Sequence, residues 1–150
     1  MLFRSLIKAL ILRYPCLYGF PRKDGFIYNM TKKMLNNEFI TIDTKNLKFW
    51  EAINIGDAAE ITGKIIAKWD WKKDCEIINC SYGEEIDFIK TVYKIKDFSR
   101  SKSPVRIKKP LDYLRFYLDN SKLRSLIDFD YDFDRSLRNF VNTYEGLLKK

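Results

Sequence analysis

Residues 11–20 read ILRYPCLYGF, an apolar run with a single charge, Arg13, closed by Tyr18, Gly19, Phe20 and then Pro21. An apolar run ended by glycine and proline reads as a buried strand and its exit turn, here over residues 10 to 18. Only MLFRSLIKAL precedes it, apolar with Arg4 and Lys8 on a basic side. Lys8 breaks a secretory apolar core and no small-residue cleavage site follows, while a membrane span needs about twenty clean apolar residues. A helix end running into a buried strand fits the pattern better than an amphipathic presequence. No membrane association is expected.

Outward from this strand, Gly19, Pro21 and Gly25 punctuate a loop. FIYNMTKKMLNN then places Phe26, Ile27, Met30, Met34 and Leu35 at helical spacing, with Asn36-Asn37 as its stop. FITI is a short strand, DTKNLK a polar loop and FWEAINI a second extended segment. Gly56-Asp57 opens a helix, with Asp57 as N-cap, Glu60 completing a capping box and Ile61, Ile65 and Ile66 as its stripe. After the turn DWKKD, CEIINCSY is a strand ended by Gly83, ahead of a helix over EEIDFIKTVYKI with Ile86, Ile89, Val92 and Tyr93 on one face. DFSRSKSP is a loop and VRIKKP an exposed or edge strand. Asp119 caps a short helix, and a last helix begins near Asp134, turning Leu137, Phe140, Val141, Tyr144 and Leu147 inward. Strands alternating with helices point to an α/β fold.

The 150 residues suit one domain, and 46% hydrophobic, 15% aromatic and 32% charged residues are globular composition. Cys16, Cys75 and Cys80 form no C-x-x-C pair, which suits a reducing, cytoplasmic setting. The chain has no histidine, which removes Ser-His-Asp triads, Cys-His dyads, zincin sites and histidine general bases. The formal net charge of +8 invites polyanions, but the basic residues are spread along the chain and interrupted by acids. A solvated lysine-rich surface is favoured over a nucleic-acid patch.

Three local features have both a chemical and an ordinary reading. DFDYDFD, residues 128–134, would line four carboxylates along one strand face, but it lacks the glycine turn and terminal glutamate of a calcium loop. Capping by Asp134 with the rest solvated is preferred to metal binding. Cys16 in an apolar strand reads as inert packing rather than as a nucleophile. Trp50, Trp69, Trp71 and Tyr82 are not interleaved with basic residues as a single-strand platform requires, so they read as packing.

The order of segments carries more. ILRYPCLYGF, GFIYNMTKKMLNNEFITI, INIGDAAEITGKI, CEIINCSYGEEIDFIKTVYKI and FYLDNSKLRSL together resemble the second half of an extended short-chain dehydrogenase/reductase, more narrowly the NAD-dependent epimerase/dehydratase family. That family has an L-R-x-x-N-x-Y-G-P strand, then R-D-[FY]-[IV]-x-V-x-D, an N-[IV]-G-x-G-x turn, an R-x-G-D segment and a D-x-S-K helix. The resemblance covers essentially all 150 residues. It implies a partial set of Rossmann-type strands plus the small C-terminal α/β substrate domain, with residues 1–150 as one substrate-binding unit.

The resemblance also implies what is missing. The family's glycine loop, which seats the NAD or NADP pyrophosphate, and its Y-x-x-x-K proton-transfer pair both belong to the preceding half, and no such glycine loop occurs here. By itself the chain is expected neither to hold a cofactor nor to transfer hydride. Its expected ligand is a nucleotide-diphosphate sugar, and its expected protein partner a separately encoded Rossmann half or a second copy. A non-catalytic interaction module and a basic nucleic-acid binder are the alternatives.

In the candidate sugar and diphosphate cleft, Cys16 stands where the family has a substrate-contacting asparagine, just before Tyr18. Trp50 falls on one phosphate-binding arginine, with Glu51 in place of the following aspartate. Lys109 falls on the second arginine, with Leu111 replacing the glycine and Asp112 matching the aspartate. Lysine supplies charge without arginine's fork, tryptophan offers a stacking surface, and Lys48 or Lys45 nearby is positioned to restore a cation.

Overall fold

A computed structural model describes residues 8–43, 51–70, 74–108 and 117–148. The expected first strand is two. β1 (Ala9–Arg13) and β2 (Cys16–Tyr18) are separated by Tyr14-Pro15, where proline supplies no backbone donor, and they pair with different neighbours. α1 (Gly25–Leu35) follows, buries Ile27, Thr31 and Met34, and ends at Asn36-Asn37, with Asn37 in the left-handed region at φ 53°. Then come β3 (Ile40–Ile42), β4 (Ala52–Asn54), α2 (Ile55–Lys68), β5 (Cys75–Asn79), α3 (Phe88–Phe98), β6 (Val105–Ile107), α4 (Ser121–Leu126) and α5 (Phe133–Leu148).

Among the described residues the strands form three parallel pairs: β1 with β5 (Ala9 opposite Cys75), β2 with β4 (Cys16 opposite Ala52) and β3 with β6 (Ile40 opposite Val105). Parallel pairs need helical crossovers, which is why strands and helices alternate along the chain. One hydrophobic cluster joins them. Tyr18, Ile40, Ile53, Ile61, Ile78, Val92, Leu123, Leu137 and Val141 all belong to it.

The helix starts differ from the sequence expectation because other side chains reach the free amides first. α2 is capped by Asn54, whose Oδ1 accepts from Gly56 N–H at 2.8 Å. Asp57 lies inside the first turn, and Glu60 pairs with Lys64 at 3.0 Å instead of closing a capping box. α3 begins at Phe88, four residues after Glu84, with Asp87 accepting from Lys90 N–H at 2.8 Å. Its buried stripe is therefore Phe88, Thr91, Val92 and Ile95, leaving Tyr93 exposed. The N-cap of α4 is Asn120 rather than Asp119, although Asp119 accepts from Ser121 N–H at 2.9 Å. Asp132, not Asp134, takes the amide of Arg135 at the start of α5, at 2.9 Å. Leu137, Phe140, Val141 and Tyr144 face inward as expected, whereas Leu147 and Ile66 are exposed.

Candidate functional site

The β2–β4 pair brings two of the predicted positions together. Cys16 N–H donates to Glu51 C=O at 3.2 Å, and the strands then run side by side to Tyr18 and Asn54. Cys16 is a free, exposed thiol, not buried packing, because it begins its strand at the surface. Tyr18 is buried edge-on against the rings of Phe133 and Phe140, at 6.1 and 5.7 Å, and its hydroxyl has no hydrogen-bond partner. A hollow of only about 20 Å³ lies beside Cys16 and Tyr18, lined also by Leu17, Asp24, Ile27 and Ala52. That volume suits one water, so these residues alone do not enclose a sugar. Lys48, Trp50 and Lys109, with Lys45, Leu111 and Asp112, lie outside the described residues.

Glu51, immediately before β4, is a buried polar residue beside this strand pair. It is 5% exposed; Oε2 accepts from Leu118 N–H at 2.8 Å, and Oε1 has no partner. Burial pushes its carboxyl above the ordinary glutamate value, against the opposing pull of the Leu118 amide. Leu118 C=O in turn accepts from Ser81 Oγ at 3.1 Å, so the segment entering α4 is tied to both β4 and the end of β5.

The turn after β5 is held by a polar lattice. Gly83 N–H donates to Ser81 Oγ at 3.1 Å, Asn120 Nδ2 to Ser81 C=O at 2.9 Å, and Arg124 to Asn120 Oδ1 and Tyr82 C=O at 3.0 and 3.1 Å. Gly83 has φ +69°, and a Cβ there would lie 2.3 Å from Asn120 Oδ1, so both conformation and space require glycine. Tyr82 Oη donates to Asp57 Oδ2 at 2.6 Å and accepts from Asn54 N–H at 3.1 Å, while Ser136 Oγ also donates to Asp57. Tyr82 and Asp57 thus join the ends of β4 and β5 to α5. Both lie within segments that carry the family resemblance, but reading Asp57 as a cap and Tyr82 as packing hid their contact.

Burial pushes the half-buried Tyr14 hydroxyl up to about 12 and raises the buried Tyr18, Tyr82 and Tyr144 as well, favouring their neutral forms. Burial likewise raises the Cys80 thiol. Among the described residues no group of three or more His, Cys, Asp or Glu side chains is placed to hold a metal. In DFDYDFD, Asp130 and Asp132 engage Arg135 and Asp134 pairs with Lys94 at 2.5 Å. Nor do the turns into α2 and α3 fit a dinucleotide pyrophosphate: Asn54 Oδ1 accepts from the Gly56 amide, the Asp57 carboxylate stands in the opening turn of α2, and Asp87 accepts from the Lys90 amide at the start of α3. No described helix is long and apolar enough to cross a membrane.

No protein-family profile and no curated protein matches the sequence. Solved structures do match in fold. A UDP-glucose 4-epimerase from Thermotoga maritima, solved with UDP-glucose, superimposes on 93% of this chain at 19% identity and TM-score 0.72. A UDP-N-acetylglucosamine 4-epimerase from Methanobrevibacter ruminantium, in complex with UDP-N-acetylmuramic acid, matches 92% at 20% identity and TM-score 0.70. A dTDP-glucose 4,6-dehydratase from Bacillus anthracis, in complex with NAD, matches 93% at 16% identity and TM-score 0.74. Of those three chains only 46%, 46% and 45% is covered, so this chain spans about half their length. The fold is therefore α/β with parallel strands, like about half of each of these epimerase and dehydratase chains.

Proposed function

We propose that residues 1–150 are the nucleotide-diphosphate-sugar-binding half of a sugar epimerase or dehydratase, without hydride transfer of their own. The observation that supports this most strongly is the fold match of more than nine-tenths of the chain to under half of enzymes named for UDP and dTDP sugars. The segment order read from the sequence supports reading the chain as the second half of that architecture. In this reading Cys16 borders the sugar, Lys109 supplies a point charge to the diphosphate, Trp50 stacks on the base or sugar, and Lys48 adds a second cation. Glu51, next in sequence to Trp50, is held by the Leu118 amide. Tyr18 supports the floor through its ring contacts rather than by touching ligand. NAD or NADP is the cofactor of the complete architecture and supplies the hydride chemistry there.

The test is calorimetric titration of the chain with UDP-glucose, dTDP-glucose and UDP. Binding is expected, weakened about tenfold by Lys109→Ala, equivalent to about 1.4 kcal/mol. NAD is expected to give no heat of binding. Absence of binding by all three nucleotides at millimolar concentration would refute the proposal and leave a non-catalytic interaction module as the better account.

A further inference from the structure

Folding brings together cations that the chain keeps apart. Lys32 and Lys33 stand in the last turn of α1, Arg100 and Lys102 follow α3, and Arg106 lies in β6. Three contacts tie these segments to one another. Ser101 Oγ donates to Met34 C=O at 2.5 Å, Lys102 N–H to Asn37 Oδ1 at 2.7 Å, and Ile40 N–H to Pro104 C=O at 2.9 Å. The end of α1 is thereby fixed against the loop after α3, and β3 and β6 run on from that junction side by side. All five cations are exposed.

Like charges gathered on one surface repel one another, and acids placed among them relieve the repulsion. Other faces of the molecule have that relief: Lys8 pairs with Asp74, Lys64 with Glu60, Lys94 with Asp134, Lys122 with Glu76 and Arg135 with Asp130. Here it is withheld. Glu38, Asp43 and Asp97 are the acids within residues 32–43 and 96–107, and no ion pair joins them to the five cations. Beside the cations stands Phe39, between α1 and β3, which at 58% is the most exposed large apolar side chain among the described residues. Its backbone is anchored on both sides, since Glu38 N–H donates to Lys33 C=O at 3.0 Å and Ile40 is held by Pro104. An aromatic ring displayed next to unpaired cations suits a single nucleic-acid strand, whose phosphates meet the cations while an unstacked base meets the ring. A duplex keeps its bases stacked and offers the ring none.

We infer that this face, made by Lys32, Lys33, Phe39, Arg100, Lys102 and Arg106, binds single-stranded nucleic acid. The phosphates lie along the cations, and one base stacks on Phe39. No residue of the proposed sugar and diphosphate cleft takes part, so the inference stands apart from that reading. The test is fluorescence anisotropy of a labelled oligothymidylate of about twenty nucleotides, titrated with the 150-residue chain at several salt concentrations. Binding is expected, with the logarithm of affinity falling by about 0.7 per logarithm of salt for each phosphate contacted. Lys33→Gln combined with Lys102→Gln is expected to lower the slope by about 1.4, two contacts' worth, and affinity by about tenfold at low salt. Phe39→Ala is expected to lower affinity about tenfold and leave the slope unchanged. Lys68→Gln combined with Lys90→Gln removes exposed cations from other elements and is expected to leave binding within about twofold. Every substituted position is exposed, and unchanged circular dichroism verifies each fold. Absence of binding, an equal loss in the Lys68 and Lys90 variant, or full binding by Phe39→Ala would each overturn the inference. So would equal affinity for a duplex of the same length, retention on phosphatidylserine vesicles without oligonucleotide binding, or displacement of the oligonucleotide by UDP-glucose, which would place the strand in the sugar cleft instead. Titration with UDP-glucose alone decides the proposed function separately.

Discussion

Glu51 is a buried acid with one satisfied oxygen, and its cost depends on pH. Its carboxyl titrates above the ordinary glutamate value because burial disfavours the charge. The native state therefore holds its proton more tightly than the unfolded chain does. The resulting stabilisation is complete below the unfolded value and disappears as pH rises through the folded one. Glu51→Gln keeps an oxygen for the Leu118 amide and removes the ionisation. Urea midpoints measured from pH 4 to 8 should move steadily in favour of the variant, relative to the natural chain, as pH rises. A constant difference across that range would show that Glu51 ionises without penalty. The residue types here were legible, since position 51 was read as an acid replacing an aspartate. Its burial was not, because the Leu118 amide that holds it comes from 67 residues away.

At the scale of elements, α2 shows how a correctly placed helix can be given the wrong cap. Asn54, Asp57 and Glu60 all suit a helix start, and the composition of the segment does not separate them. The structure does, because Asn54 ends β4 in an extended conformation with Oδ1 on Gly56 N–H, while Asp57 receives Tyr82. Asn54→Ala is expected to cost about 1 kcal/mol, the usual loss of an N-cap, and Glu60→Ala, which loses only an exposed i,i+4 pair, clearly less. Equilibrium urea unfolding of both variants distinguishes the two assignments; the reverse ranking would restore the capping box. The stripe of α1 was legible because periodicity reports which face is buried. The stripe of α3 slipped because Asp87, rather than Glu84, begins the turn.

Across the whole molecule, apolar alternation showed where strands lie but not which strands meet. β1 pairs with β5 and β3 with β6 across more than sixty residues, and such pairings leave no local mark. The order of motifs carried that information instead, which is why the α/β class and the matched half-fold were legible while Lys48, Trp50 and Lys109 remain proposals. The pairing has a consequence for unfolding. No two-stranded ribbon has a core of its own, since each contributes its inward residues to the same cluster. The described chain should therefore unfold in one step rather than ribbon by ribbon. The three cysteines provide the check, because Cys16 and Cys75 are exposed and Cys80 is fully buried between β5 and the Tyr82 turn. A thiol reagent should label two sites at once in the native protein. In a urea series the third should become reactive with the same midpoint as the losses of circular dichroism and intrinsic fluorescence. Labelling of Cys80 well below that midpoint would mean that the β1–β5 ribbon opens on its own before the remainder gives way.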